Sequence, residues 1–281
     1  AVISNAFIDG QSLRTYRYFP NTGARKSWAA GDASAKALKQ VFISEVSDES
    51  YPTVLSTKNW GFNDVLMGKN PLKLERELGS YVMDNILYKV SFPAEFHAQT
   101  AAEAAIFLSS EVKGKIHDIE KIEIHTQEPG VRIISKKGPL NNYADRDHCI
   151  EYIVAWCLLN GNLDSNSYSD SSASDENIDK LRELTNTVED QAYTLKYYDL
   201  DERAIPNKVI VSMNTGEVFE KEVVYPLGHK NRRAESLPFL KEKFQNSAQR
   251  STIKMDELMK FYDEKNLDSI NIYDLLNCIY K

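Results

Sequence analysis

The chain has 281 residues, 42% of them hydrophobic and 27% charged, which is the composition of a globular protein able to bury a sizeable core. A net charge of −7 and a pI near 5.4 exclude a basic, polyanion-binding surface, so nucleic acid is not an expected partner. No apolar run approaches bilayer-spanning length, and a membrane is not an expected partner either. The three cysteines, Cys149, Cys157 and Cys278, form no C-x-x-C pair and read as buried free thiols rather than as metal or disulfide partners. The chain opens at Ala1 and its first methionine is Met67; we read it as the C-terminal portion of a longer polypeptide.

In chain order, residues 1–48 read as helix, turn, helix. Ala30, Ala33, Ala37 and Val41 recur at helical spacing, with Leu38 and Phe42 beside them. A connector punctuated by Pro, Gly and Asn follows, and "LKLERELGSYV" reads as a short amphipathic helix. "LYKVSFPAEF" looks like a strand entering a proline stop, and "AEFHAQTAAEAAIFLSSEV" is strongly helical. In "IEKIEIHTQ", Ile122 and Ile124 alternate with Glu123 and His125 as in a strand. "ADRDHCIEYIVAWCLLNG" is a helix closed by Gly161. The serine- and aspartate-rich residues 164–179 read as a solvated, mobile loop. "KVIVSMNTGEVFEKEVVYP" is a hairpin turning at Asn214-Thr215-Gly216, and three helical stretches close the chain after Pro238. The fold class is therefore α+β: a helical segment at 1–86, an α+β domain at 87–228, and returning helices at 229–281.

Four stretches carry a resemblance: "LRTYRYFPNTGARKSWAAGDA" (13–33), "SFPAEFHAQTAAEAA" (91–105), "GPLNNYADRDHCIEY" (138–152) and "YPLGHKNRRAESLPFLKEKF" (225–244). Together, and in this order, they resemble the MmgE/PrpD family of 2-methylcitrate dehydratases. The resemblance implies a large all-helical domain with a smaller α+β domain inserted into it, and a homodimer. It implies a small tricarboxylate substrate, dehydrated to an alkene in propionate catabolism without a cofactor or iron–sulfur cluster. Family chains are longer, so this one is expected to lack the N-terminal half, which in related members carries an Asp/Thr/His group. A mitochondrial matrix location is expected for a eukaryotic source and a cytoplasmic one for a bacterial source. The alternatives are a non-catalytic remnant or assembly partner, and a cis-aconitate decarboxylase-type activity on the same scaffold.

Dehydrating such a substrate needs a base for a proton next to a carboxylate, an acid for the departing hydroxyl, and cations for the carboxylates. Lys26 sits at a helix start, where the dipole disfavours a cation unless a substrate carboxylate lies against it. The resemblance aligns it with a pocket lysine of related decarboxylases. Lys26, His97 and Glu95 are the candidate catalytic residues; Arg25, Arg146 and His148 are the candidate substrate-binding residues; no metal ligands stand out. Four have a structural alternative: solvent for Lys26, helix-end stabilisation for Glu95, a satisfied partly buried imidazole for His97, and pairing with Asp145 or Asp147 for Arg146. Those two aspartates read as helix N-caps, and the cluster His229, Lys230, Arg232 and Arg233 as interdomain pairing. His117 and His125 lie outside the family-like stretches and read as structural.

Overall fold

Strongly β-branched and alternating segments build one small sheet, and helices cover it. The computed structural model describes all residues except 11–14, 18–21, 48, 75, 249–254, 263–266, 280 and 281. Its first helices are α1 (Val2–Asp9), α2 (Arg25–Val46), α3 (Phe62–Leu66) and α4 (Tyr81–Asp84). After a 3-10 turn at Phe96–Ala98 come α5 (Gln99–Val112), β1 (Ile119–Thr126), α6 (Glu128–Ile134), α7 (Tyr143–Arg146) and α8 (Ile150–Asn160). Then follow α9 (Asp170–Ala173), α10 (Glu176–Leu184), β2 (Thr185–Glu189), α11 (Gln191–Tyr198), β3 (Asn207–Met213) and β4 (Val218–Val223). The chain returns to helix in α12 (Arg233–Ala248), α13 (Met255–Tyr262) and α14 (Ile272–Ile279).

The sheet order is β2-β1-β3-β4, with β1 and β2 parallel and the other neighbours antiparallel. Ile122 and Ile124 of β1 and Val209 and Val211 of β3 are fully buried, facing the alanine-rich side of α5 and the apolar α8. Ala101, Ala104 and Ala105 let α5 approach closely, and Ile150, Ile153, Val154 and Leu158 of α8 fill the rest of that core. The expected α+β class is what the chain forms.

Several elements differ from their sequence reading. Residues 86–90 form no strand: Tyr88 makes one backbone bond to Gly228, at 3.2 Å, and no ladder. Most of 72–82 is irregular, with only the four-residue α4 at its end. The helix read from Ala144 is broken at 147–149, so α7 and α8 are separate. Residues 164–179 are ordered by caps. Asp164 and Ser167 form a reciprocal capping box, Ser169 caps α9 and Asp175 caps α10. Tyr168, fully buried among them, anchors the segment to the core. Nor are Asp145 and Asp147 helix N-caps: Asn142 is the N-cap of α7, Asp147 its C-cap, and Cys149 precedes α8.

Candidate active site

Three segments distant in sequence meet at one place: the start of α2, residues 89–97, and residues 145–148. Lys26 lies in the first turn of α2, half-buried, with its ammonium unpaired among the described residues. No side chain caps this helix; the Lys26 and Ser27 N–H groups bond the Gly23 and Ala24 carbonyls, and the positive end of the helix dipole adds to the Lys26 charge. Lys89 is close enough that the Lys26 charge acts on it. Burial depresses the Lys89 pKa, Lys26 and Lys243 push it the same way, and the carboxylates of Glu95 and Asp147 oppose them. Lys243, on α12, donates to the Lys89 carbonyl.

Glu95 and His97 form a pair. One Glu95 oxygen, Oε2, accepts from the His97 backbone N–H and lies against its Nδ1, each at 2.7 Å. His97 Nε2 reaches the Tyr197 hydroxyl on α11 at 3.2 Å. Burial alone would raise the Glu95 pKa, but the hydrogen bond and charge of His97, the backbone N–H and the more distant His148 outweigh it. The carboxyl falls to about 2. The two groups meet because Glu95 precedes the 3-10 turn as its cap and folds back over it.

A second carboxylate–imidazole pair faces the first. The Glu95 backbone N–H donates to the Asp147 carbonyl at 3.1 Å, which ties the two segments together. Asp147 Oδ1 holds His148 Nδ1, and His148 is buried with its Nε2 lacking a partner. An imidazole held at one nitrogen by a carboxylate and without a partner at the other has the arrangement of an oriented proton acceptor.

The two arginines read as substrate binders have other contacts. Arg25 bonds Asp32 at 2.7 Å and lies over the Trp28 ring, 4.2 Å from its centroid. Arg146 is buried and bonds the Tyr168 carbonyl and Asp170, both at 2.7 Å, fastening the serine-rich segment. The structure thus brings Lys26, Glu95, His97 and His148 together and leaves Arg25 and Arg146 in the surrounding frame. Lys89 and Tyr197 were missed. Lys89 immediately precedes the "VSFPAEF" stretch and could have been found from that adjacency; nothing in the sequence pointed to Tyr197.

The basic cluster at 229–233 is structural. Arg232 forms a fork on Glu103 of α5, at 2.9 and 3.1 Å, and also bonds Glu235. His229 accepts from the Asn231 N–H through Nδ1 and contacts the Arg203 carbonyl through Nε2, which requires the neutral Nε2–H tautomer; burial lowers its pKa accordingly. Among the described residues no group of His, Cys, Asp and Glu could hold a metal ion, and no helix is long and apolar enough to cross a membrane.

Cations around two carboxylate–imidazole pairs, on an α+β frame, can hold an anionic small molecule and move protons on it. Residues 92–264 match the MmgE/PrpD C-terminal domain and residues 1–75 the MmgE/PrpD N-terminal domain. The chain belongs to the MmgE/PrpD family. It is 48% identical over 274 residues to the mitochondrial 2-methylcitrate dehydratase of Yarrowia lipolytica, covering 96% of this chain and 52% of that one. It is 50% identical over 246 residues to the 2-methylcitrate dehydratase of Escherichia coli K12, covering 86% and 51% of the two chains. With that of Cupriavidus necator it shares 47% over 282 residues, covering 98% and 58%. The chain thus spans about half the length of the curated relatives it matches. It carries sequence from both family domains, so the expectation that it lacks the N-terminal half is not supported.

Proposed function

We propose that the protein is a hydro-lyase, or the part of one that carries these groups, dehydrating 2-methylcitrate to 2-methyl-cis-aconitate by acid/base chemistry of its own side chains. The observation that carries this reading is the convergence of Lys26 and Lys89 on the Glu95–His97 and Asp147–His148 pairs. Lys26 and Lys89 hold substrate carboxylates and offset the charge that builds up as the adjacent C–H proton leaves. His148, oriented by Asp147, takes that proton at Nε2. The Glu95–His97 pair protonates the departing hydroxyl, which leaves as water while the C=C bond forms. A Glu95 carboxyl at about 2 is too weak a base to accept the proton efficiently at neutral pH; its part is to hold His97 in place. Arg25 and Arg146 keep the frame rather than the substrate.

Around this site we infer the family plan: an α+β domain at 87–228 inserted between helical pieces at 1–86 and 229–281, assembled as a homodimer. The mitochondrial name of the Yarrowia relative supports a matrix location for a eukaryotic source. The test is direct. The purified chain is mixed with 2-methylcitrate and the conjugated alkene followed by ultraviolet absorbance, beside Lys26→Ala. We expect product, and a loss of roughly 100-fold or more in the variant. A well-folded chain that stays silent supports the second reading, a non-catalytic scaffold or assembly partner.

A further inference from the structure

We propose that a buried ion pair, Asp145 with Lys136, is the latch that docks the start of α2 against the rest of the site, so that Asp145 and Thr22 are positioning residues for Lys26. Both charged side chains are almost completely inaccessible, with relative exposures of 0% and 5%, and their N···O separation is 3.5 Å. What lies between them is Thr22. Its backbone N–H donates to Asp145 Oδ1 at 2.9 Å, and its hydroxyl accepts from Lys136 Nζ at 3.2 Å. Thr22 is buried, and only Gly23, Ala24 and Arg25 separate it from Lys26.

The latch is anchored on both sides. Asp145 Oδ2 accepts from the Asn141 N–H and the Asn142 amide, each at 3.2 Å. The Lys136 backbone N–H donates to Glu151 Oε2 at 3.1 Å. Glu151, itself fully buried on α8, also accepts from Ser135 at 2.6 Å and from Thr187 of β2 at 2.7 Å. A continuous path of hydrogen bonds therefore runs from the sheet edge through Glu151 and Lys136 to Thr22 and on to Asp145. The same short segment grips Glu95 through the Asp147 carbonyl. Residues 145–148 thus fix the α2 start at one end and the Glu95–His97 turn at the other, and they set the separation between Lys26 and the two imidazole pairs. A buried, fully bonded ion pair is costly to desolvate and is a poor way to gain stability alone; its use here is to define one register for an otherwise uncapped helix start.

This inference deepens the function proposed above and rests on it for the role of Lys26; the docking itself does not. The experiment follows amide hydrogen exchange at residues 22–28 and at the sheet, and citrate binding by calorimetry, in the 281-residue chain. Variants are Asp145→Asn, Thr22→Val as the milder change that removes only the hydroxyl, Lys26→Ala, and Lys26→Ala combined with each of the first two. We expect exchange at 22–28 to quicken at least about tenfold in Asp145→Asn, and measurably in Thr22→Val, with β1 and β3 protection unchanged. Citrate binding should weaken in both, with no further loss once Lys26 is already alanine. Unchanged exchange at 22–28 in Thr22→Val and in a folded Asp145→Asn, or equal loss of protection in the sheet, overturns the latch. Additive losses of citrate binding overturn its action through Lys26. Wild-type chain that does not bind citrate counts against the proposed function and against the positioning of Lys26 for it, while the exchange arm still decides the docking.

Discussion

His97 holds Glu95 ionised from two residues away, and this has a consequence for acid stability. The folded-state carboxyl at about 2 lies below its ordinary value of 4.5, so its contribution to stability is complete above about pH 4.5 and is lost as the pH falls toward 2. The shift corresponds to about 3 kcal/mol. Urea melts at about pH 5 and about pH 3 should show the wild type losing much of that amount, and Glu95→Gln losing distinctly less. Identical pH slopes in the two proteins would mean that the pair does not form. His229 acts in the same direction at higher pH. Its depressed pKa keeps it neutral when folded, so unfolding gains a proton and stability falls as the pH drops below about 6.5.

Among the elements, the turn before α12 is tightly constrained. Gly228 has φ of +94°, and a Cβ built there would lie 2.0 Å from the Tyr88 carbonyl oxygen. Gly228→Ala therefore meets both a disfavoured backbone and a clash with main chain, and should cost about 1–3 kcal/mol or more. The expected result is a lower midpoint of chemical denaturation at unchanged slope; a wild-type midpoint would show that the turn is not packed on Tyr88. The Arg232 fork on Glu103 closes the same junction from α5, which is why the cationic cluster there serves architecture. Segment 164–179 teaches a related lesson. Its composition suggested a solvated loop, yet Ser and Asp are also the residues that cap helices, and buried Tyr168 and Ile178 with the Arg146 contacts fix the stretch.

For the whole molecule, apolar surface is unevenly covered. The α+β region buries its large side chains, whereas residues 28–83 expose Trp28, Leu38, Phe42, Val46, Trp60, Leu78 and Val82. Phe42 and Trp60 are 62% and 85% exposed. We expect the isolated chain to bind a hydrophobic dye and to scatter light increasingly with concentration; a sharp, reversible, monomeric melt without dye binding would count against this. The sequence by itself determined the α+β class, the β3–β4 hairpin, the alternation of β1 and the helices α2, α5 and α8, because period and turn chemistry are local. It also marked Lys26, Glu95, His97 and His148, through stretches that resemble a family. It did not reveal β2, which is only five residues long between two helices and pairs in parallel along the edge that β1 offers. Nor did it tell that Arg25 and Arg146 face Asp32 and Asp170, that Lys89 and Tyr197 join the cluster, or that Asp145 grips Thr22 from 123 residues away. Those outcomes depend on which side chains long-range packing brings within a few ångströms, and only the tertiary structure decides that.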